Sequence, residues 1–420
     1  MHKINIAILG SGGREHALEW KLRQSPRAER IWMLPGNGAT ENNVSITMSD
    51  HAAIRRFCEE NHVSLLVVGP EVPLSEGIVD AFADSRVKVF GPDKAGARLE
   101  SSKIYAKSFM RKYGVATADF GVYSPEEDAS ACIAKNKGDV VIKYDGLAAG
   151  KGVYVCSSEE EAHAAIRDLL EKYGPQAEFL IEEKLQGEEL SVIGITDGKN
   201  ITCLLPSQDH KAAFDGDTGP NTGGMGAYCP APAATEKVLD AIDEQIILPT
   251  LNGIEAEGFD YKGVIYFGIM LTEKGPKLLE YNVRFGDPET EVILPALNSD
   301  LLELMLACFN GSLCEIEPDF SEEYFVDVVL CAGGYPGKYE KGMPVRGIAD
   351  LLADTLCFHA GTQRDGDRLL TSGGRVLNIV CHDAELRKAV EKCYAEVQKI
   401  HFDTLRYRRD IAHRALRRRP

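Results

Sequence analysis

Short apolar runs alternate with helix-length segments over about the first hundred residues of the chain. The runs that predict strands are Ile4–Leu9, Ile31–Leu34, Leu65–Gly69 and Val87–Gly91. Neighbouring parallel strands need a crossover connection that is long enough to hold a helix. The alternation therefore predicts a parallel, doubly wound α/β sheet, in a first unit that spans residues 1–101.

Two further units follow along the chain. Residues 94–113 predict a helix that contains Lys103, and the mixed strands and helices that follow predict a second unit at 102–324. After an acidic segment, Phe325–Ala332 begins another set of strands that ends in a helix, which predicts a third unit at 325–420. No low-complexity linker separates these units, so we expect them to pack closely.

The composition excludes several classes of protein. A formal net charge of −17 argues against a general nucleic-acid binder, so any phosphate site must be a local concentration of positive charge. The 11 cysteines are scattered without a CxxC pair, which fits a reducing compartment better than disulfides or a zinc site. Neither a signal peptide nor an apolar run of transmembrane length is present. We therefore expect a cytoplasmic protein that acts on small molecules.

Residues 139–153 carry the clearest chemical signal. Val140–Ile142 predicts a buried strand that ends at Lys143, and a loop of small residues, Asp145–Gly152, follows with a second lysine, Lys151. Such a loop lets backbone N–H groups approach an anion, while the lysines supply charge for phosphate. Its strand–loop–strand order, without GxxxxGK[ST], differs from a P-loop. An ordinary glycine-rich hairpin is the alternative.

A glycine turn follows the first predicted strand, in the run Gly10-Ser11-Gly12-Gly13-Arg14-Glu15. Such a turn places backbone N–H groups and a helix N-terminus at an anion. Glu15 occupies the third-glycine position of the motif GxGxxG, which disfavours a dinucleotide, and Arg14 suits a compact phosphate monoester. A plain tight turn is the alternative reading.

A third signal is an apolar strand, Phe179–Ile181, that ends in the acids Glu182 and Glu183. The backbone N–H and C=O groups of such a strand can face an adenine edge. Glu188, a few residues later, can accept hydrogen bonds from ribose hydroxyls. The alternative is an exposed acidic turn.

Residues 207–227 are rich in Gly, Asp, Asn and Thr, and we expect no core there. Long loops inside compact domains are usually functional or disordered. We therefore predict that Asp215–Gly226 closes over a substrate, with a mobile surface loop as the alternative.

The last signal lies at the end of an apolar strand, where Glu280, Asn282 and Arg284 alternate with Tyr281 and Val283. Side chains two apart on a strand share a face, so these three project together. Oxygen ligands from Glu and Asn suit a Mg²⁺ ion that also binds phosphates, and an arginine beside them can stabilise a transferring phosphoryl group. A salt-bridged pair on a strand face is the alternative.

Together these motifs resemble the ATP-grasp superfamily and, within it, the phosphoribosylamine–glycine ligase family (glycinamide ribonucleotide synthetases). The resemblance covers essentially the whole chain and rests on GSGGREHAL, PGNGAT, VVGPEVPLSEGIVDAF, FGPDKAGARLESSK, KYDGLAAGKGV, SQDHK, DTGPNTGGMGAY, LLEYNVRFGDPETE, AGGYPG, HAGT and GGRVLNIV. The departures are small: Tyr144 stands where alanine is common, and PGNGAT differs from the usual PGNAGT.

The resemblance implies a fold and a reaction. The fold would be the doubly wound N-terminal domain, an ATP-grasp core with a mobile lid subdomain at about 117–190, and a small C-terminal α/β domain. The reaction would join glycine to 5-phospho-β-D-ribosylamine through a glycyl phosphate, with ATP as a substrate and Mg²⁺ or Mn²⁺ as the cofactor. A monomer would be expected.

Carried onto matching positions, the resemblance also implies residue roles. ATP would be held by Lys103, Lys143, Gly146, Gly150, Lys151, Gly152, Glu182, Glu183, Leu185, Glu188 and Lys211. The metal ion would be held by Glu280 and Asn282. Phosphoribosylamine and glycine would be held by Gly10, Gly12, Gly13, Arg14, Glu15, Asn221, Gly223, Gly224 and Arg284. Catalytic roles would fall to Arg284, Lys143 and Asp217.

Three other functions compete with this one. Another ATP-grasp carboxylate–amine ligase or carboxylase would not need the two motifs GSGGRE and PNTGGMGAY together. A non-catalytic nucleotide sensor would not need Lys143, Glu280, Asn282 and Arg284 together. A nicotinamide dehydrogenase would need the missing third glycine, and it would explain nothing after the first unit.

Overall fold

The computed structural model describes residues 2–124, 129–148 and 152–418. The first unit is built on four parallel strands in the order β2-β1-β3-β4. Their bounds are β1 (Ile4–Gly10), β2 (Ala28–Pro35), β3 (Val63–Val68) and β4 (Lys88–Pro92). β1 is almost wholly buried because strands flank it on both edges and helices cover the sheet. The predicted parallel sheet is confirmed.

Five helices belong to this part of the chain: α1 (Gly13–Leu22), α2 (His51–Glu60), α3 (Glu71–Glu76), α4 (Lys94–Ser101) and α5 (Lys103–Tyr113). A 3₁₀ turn lies at Asp80–Phe82. The single helix predicted over 94–113 is wrong in one respect, because it is divided at Ser102. The backbone of Ser102 is extended and its hydroxyl accepts a hydrogen bond from Tyr105 N, so it caps a new helix. That cap sets Lys103 at the first turn of α5.

The next segment forms a separate four-stranded sheet in the order β5-β8-β6-β7, in the region predicted as the lid. Its elements are β5 (Phe120–Tyr123), α6 (Ser130–Lys135), β6 (Val140–Tyr144), β7 (Val153–Val155), α7 (Glu159–Tyr173) and β8 (Phe179–Glu183). The sheet has its own core, which includes Ile133, Ile142, Leu169 and Phe179. The two strands predicted on either side of the small-residue loop are confirmed and pair antiparallel.

The central unit contributes most of the remaining elements. Its strands are β9 (Glu188–Thr196), β10 (Ile201–Cys203), β11 (Gln208–Asp209), β12 (Ala212–Phe214), β13 (Thr218–Asn221), β14 (Gly226–Cys229), β15 (Tyr261–Thr272) and β16 (Gly275–Asn282). Its helices are α8 (Glu236–Ile242), α9 (Leu248–Glu257), α10 (Thr290–Ala296) and α11 (Leu301–Asn310). A π-helical turn, Asp243–Ile247, joins α8 to α9, and a 3₁₀ turn lies at Leu313–Glu315.

The first and central units share one sheet. β15 pairs antiparallel with β4 through Tyr261 and Pro92, and also with β9 and β16. This pairing makes an eight-stranded sheet of two units. The end of β16, where Glu280 and Asn282 lie, is thereby held against the first unit.

The last strands and helices are β17 (Tyr324–Cys331), β18 (Leu356–His359), β19 (Thr362–Asp365), β20 (Arg368–Thr371), β21 (Arg375–Asp383), α12 (Leu386–Val397) and α13 (His413–Arg417). A 3₁₀ turn lies at Ile348–Asp350. β17, β21 and β18 join β14 and β11 in a five-stranded sheet. The three units are therefore linked by shared sheets as well as by packing.

Among the residues that the structure describes, no helix combines the length and the apolar character needed to cross a membrane.

Candidate active site

A cleft of about 710 Å³ opens where the first unit, the lid sheet and the central strands meet. Residues from all three units line it, including Arg14, Lys103, Lys143, Glu280 and Arg284. These five residues come from four separate sequence motifs. The fold thus brings most of the predicted site residues to one cavity.

Lys103 joins the helix α5 to the small-residue loop. Its ammonium donates to Gly146 O at 3.0 Å, and the Asp145 carboxylate accepts from Ile104 N at 3.0 Å and from the Ser102 hydroxyl. Burial lowers the pKa of Lys103, an effect that the nearby Glu280 opposes. The loop Asp145–Gly152 is thus tied at its start to the N-terminus of α5. Gly150 and Lys151 lie outside the described residues, so their contact with phosphates stays a prediction.

Lys143 is the penultimate residue of β6, close to the predicted strand end, and it lines the cleft. Its ammonium lies 3.0 Å from Glu182 Oε2 and donates to Leu279 O at 3.2 Å. Leu279 precedes Glu280 on β16. Lys143 therefore connects the lid sheet to the strand that carries the predicted metal ligands.

Glu280 and Asn282 both line the cleft from the end of strand β16. Burial raises the pKa of Glu280, but Lys211, Lys143 and Lys103 outweigh burial and hold the pKa below its ordinary value. Glu280 is therefore an ionised carboxylate beside an amide oxygen. One carboxylate and one amide oxygen fit Mg²⁺, which keeps several waters and binds substrate phosphates.

Arg284, two residues after Asn282, lines the cleft on the same side as Glu280 and Asn282. Its Nη2 lies 3.0 Å from Glu100 Oε1 and donates to Asn282 Oδ1 at 3.3 Å, while its Nε lies 3.4 Å from Glu71 Oε2. Glu71 and Glu100 belong to the first unit, and both line the cleft. The predicted shared face of Glu280, Asn282 and Arg284 is confirmed.

The glycine turn lies behind Arg14. Gly12 N donates to Glu15 Oε2 at 2.6 Å, and Arg14 Nε lies 2.5 Å from Glu15 Oε1. A Cβ on Gly10 would collide with the Glu15 side chain, and one on Gly13 would collide with Asn378. Of the predicted turn residues only Arg14 lines the cleft, where its Nη1 also donates to Phe285 O. The glycines and Glu15 shape the turn that presents Arg14.

The prediction of the residues that would hold adenine and ribose needs one correction. Glu182, Glu183 and Leu185 line the cleft, as predicted, but Glu188 does not. The Glu188 carboxylate accepts from Gln208 Nε2 and pairs with Arg418. On a strand, successive side chains face opposite ways. The neighbouring Glu189 therefore faces the cleft.

Lys211, also predicted at the nucleotide, lies in the cleft and pairs with Glu189 at 2.9 Å. Burial acts to lower its pKa, but Asp209 and Glu189 raise the pKa well above its ordinary value. Lys211 is therefore a permanent cation between the acids of β9 and β11.

The first part of the segment Asp215–Gly226 is not a structureless loop. It forms the turn and the second strand of a short hairpin in which β12 pairs with β13. Asn221 and Gly223 line the cleft. Gly224 has φ +121°, a conformation that favours glycine, and it lies against Pro288. The loop thus reaches the cleft through its second half.

Asp217 lies elsewhere, and its predicted catalytic place is not supported. Its carboxylate is 2.9 Å from both Arg408 Nη2 and Arg414 Nη2 and 3.2 Å from His413 Nε2. Asp217 is not among the residues that line the cleft. It ties the hairpin to the C-terminal segment instead.

Arg375 is a cleft residue to which no role was assigned. It lies on β21 of the C-terminal sheet, and its Nη1 is 2.9 Å from Asp287 Oδ1 and 2.9 Å from Gly223 O. Arg375 therefore joins the hairpin segment to the stretch after Arg284. Its motif GGRVLNIV was noted, but no local pattern distinguishes this arginine from a surface one.

Other cleft residues without a predicted role include Lys107, Glu71, Glu100, Glu189, Asp209 and Glu289. Lys107 had a usable signal, because it lies one helical turn after Lys103 and so shares its face. The alternation of side chains along a strand could also have predicted that Glu189 faces the cleft. The others are brought to the cleft only by contacts between distant segments.

Three family models match the chain. They are described as the N domain, the ATP-grasp (A) domain and the C domain of phosphoribosylglycinamide synthetase, and they match residues 4–100, 101–290 and 325–414. A phosphoribosylamine–glycine ligase of Halalkalibacterium halodurans is 44% identical over 422 residues, covering 99% of this chain and 98% of the relative. The chain belongs to the phosphoribosylglycinamide synthetase family.

Solved structures agree with this assignment. A phosphoribosylamine–glycine ligase from Thermotoga maritima matches with a TM-score of 0.83 at 38% identity, covering 97% of this chain and 100% of that one. A biotin carboxylase from Campylobacter jejuni, at 16% identity and a TM-score of 0.72 over 96% and 92% of the two chains, shares the fold. The predicted family and three-part α/β fold are confirmed.

Membership of this family sets the class of chemistry. The chain is an ATP-dependent ligase of purine biosynthesis, and its ATP-grasp domain belongs to a class that uses ATP with a divalent metal ion.

Proposed function

We propose that this phosphoribosylglycinamide synthetase joins glycine to 5-phospho-β-D-ribosylamine and produces glycinamide ribonucleotide, ADP and phosphate. In the first step a glycine carboxylate oxygen attacks the γ-phosphorus of ATP, and ADP leaves. In the second step the sugar amine attacks the carbonyl carbon of the glycyl phosphate. The bond from that carbon to the phosphate oxygen breaks, phosphate leaves, and the amine loses a proton.

One observation carries this proposal. The same cleft holds the lysines and oxygen ligands of the central unit, together with Arg14 of the first unit and Arg375 of the C-terminal sheet. Phosphoryl transfer needs positioning and neutralisation of charge more than a covalent nucleophile. A second, anionic substrate with its own phosphate needs cations on another wall of the cleft, and Arg14 supplies one.

The central unit is proposed to act on ATP and glycine. Lys103, Lys143 and Lys211 all line the cleft, and their ammonium groups would surround the ATP phosphates. Glu280 and Asn282 would hold the divalent ion, Mg²⁺ or Mn²⁺, which when bound neutralises phosphate charge. Arg284 is proposed to neutralise the developing acyl phosphate or the glycine carboxylate.

The division of labour follows the units. Residues 1–101 are proposed to hold the sugar phosphate, residues 102–324 to hold the nucleotide under a lid at about 117–190, and residues 325–420 to complete the cleft through Arg375. Closure over the glycyl phosphate would exclude water and so protect it from hydrolysis. A cytoplasmic monomer is proposed, and light scattering on the purified protein tests the monomer.

ADP release by the purified protein tests the reaction. The assay contains Mg²⁺, ATP, glycine and phosphoribosylamine generated in situ, and each component is omitted in turn. We expect ADP only when glycine and the sugar amine are both present. ADP that forms without both, or only with another carboxylate, would move the chain to a different ligase activity.

A further inference from the structure

Part of the cleft lining is apolar, and the cleft also holds a buried charged pair. The apolar lining is made by Ala106, Met110, Val141, Val155, Met270 and Leu279. The same cleft is also lined by Glu280, Asn282 and Lys211. A flat purine base suits the apolar lining, and the phosphates of its nucleotide suit the cations of the same cleft. This placement rests on the proposed function.

Lys107 and Glu182 form the charged pair. Each side chain is only 2% exposed, and Lys107 Nζ lies 3.2 Å from Glu182 Oε2. Lys107 also donates to the Thr117 hydroxyl at 2.6 Å, which in turn donates to Leu278 O at 2.6 Å. The ammonium of Lys107 therefore has two partners, Thr117 and one oxygen of Glu182, and Thr117 is itself anchored to β16.

The second oxygen of Glu182 has no such partner. Lys143 also approaches Oε2, at 3.0 Å, so both lysines use the same oxygen. Among the described residues no hydrogen-bond partner reaches Oε1, which is buried. A buried acceptor without a donor is unfavourable, so this oxygen favours a ligand that brings one.

The need of Glu182 Oε1 for a hydrogen-bond donor distinguishes two kinds of purine. Adenine carries an amino group at position 6, which is a donor, whereas guanine carries a keto oxygen there, which is an acceptor. Hypoxanthine, the base of inosine nucleotides, carries the same 6-keto oxygen as guanine. An ionised carboxylate only accepts hydrogen bonds. Glu182 Oε1 thus suits a 6-amino purine and repels a 6-keto purine.

We propose that Lys107 is a positioning residue that sets selectivity for 6-amino purine nucleotides by holding the Glu182 carboxylate with Oε1 free for the base. Lys143 approaches the same oxygen from β6, and Lys107 supplies the second ammonium that fixes the carboxylate. Burial lowers the pKa of Lys107 to about 8, while Glu182 opposes the shift, which fits an ammonium whose main partner is this carboxylate.

Binding of nucleotide diphosphates tests the proposal without turnover. Calorimetry gives Kd for ADP and for inosine diphosphate, which has the 6-keto oxygen, with wild type, Lys107→Met, Glu182→Gln and the double variant. We expect wild type to prefer ADP by at least about tenfold, since a site built to bind an amino group rejects an analogue that lacks it. We expect Lys107→Met to bring the preference within about threefold of equality.

Glu182→Gln gives the sharper result. The two lysines need an acceptor, so the amide oxygen faces them and the amide NH₂ takes the place of Oε1. We expect this variant to prefer inosine diphosphate. In that background Lys107→Met should leave the ratio unchanged or move it back towards ADP. An equal loss of ADP preference in both backgrounds, or no loss in either, would overturn the proposal.

Two controls separate this result from others. Lys112→Met changes an exposed lysine of the same helix α5 and should keep the wild-type ratio. If Lys107→Met does not fold, Glu182→Gln and the double variant still decide, since the double variant removes both buried charges. Glycine-dependent ADP release by the wild-type protein is measured separately, so loss of the proposed reaction and loss of selectivity are distinct outcomes.

Discussion

Arg284 Nη2 lies 3.0 Å from Glu100 Oε1, and the other carboxylate oxygen of Glu100 accepts from Val283 N at 2.7 Å. One acid of the first unit therefore holds both the backbone and the side chain of the segment that follows the predicted metal ligands. Burial raises the pKa of Glu100, and Arg284 opposes that shift. This contact holds the segment after β16 against the first unit.

Removing the charge of Glu280 should stop turnover and leave the fold intact. Glu280→Gln keeps the size of the side chain but loses the charge that neutralises the divalent ion, so we expect ADP release to fall at least about 100-fold. Thermal unfolding should change little. The control is Glu273→Gln, an exposed acid in the turn before the same strand. Wild-type turnover in Glu280→Gln would remove the metal assignment.

Truncating Arg14 should separate the two substrates. Arg14→Ala removes the cation that the first unit presents to the cleft, so we expect KM for phosphoribosylamine to rise at least about tenfold and KM for ATP less than about threefold. Initial rates at varied concentrations of each substrate measure both constants. Arg56→Ala, on the exposed face of α2, is the control. Equal rises in both constants would contradict the division of sites.

Changing Asp217 should affect stability more than chemistry. The Arg408 side chain is fully buried and pairs with Asp217 and Asp410. Asp217→Asn leaves Arg408 one carboxylate, so we expect the free energy of unfolding to fall by about 1–2 kcal/mol and kcat to stay within about threefold. Urea unfolding and steady-state rates measure these, with the exposed Asp367→Asn as control. A large loss of kcat at unchanged stability would restore the catalytic role.

A buried histidine contact should make stability depend on pH. His16 Nδ1 accepts from His359 N at 2.8 Å, and burial, with Arg23, lowers the pKa of His16 from 6.5 to about 4. The unfolded chain therefore binds the proton first as pH falls. The stabilisation is complete above pH 6.5 and is lost as pH falls towards 4.

The comparison with His16→Asn isolates this effect from other titrating groups. Urea unfolding at pH 7.5, 6.5 and 5 gives the free-energy difference between wild type and variant. We expect the advantage of the wild type to shrink across this range. An advantage that stays constant with pH would show that His16 does not carry it.

Local patterns predicted the parts of the site that lie on single strands and turns. Glu280, Asn282 and Arg284 share a face because strand side chains alternate, and Lys143 lies at a strand end because Val140–Ile142 is apolar. The same rule of alternation explains why the prediction that Glu188 lines the site was wrong. Strand β9 begins at Glu188, and of the two neighbouring acids only Glu189 faces the cleft.

The sequence by itself determined the family, the α/β class and the identity of most charged groups, since these depend on periodicity and short motifs. Only the tertiary structure decided that Lys107 holds Glu182, that Arg375 reaches Asp287, and that Asp217 serves the C-terminal segment. Arg375 and Asp287, like Asp217 and Arg408, are far apart in the chain and meet through shared sheets and packed units. Such contacts follow from the burial of distant segments against each other, which no local pattern encodes.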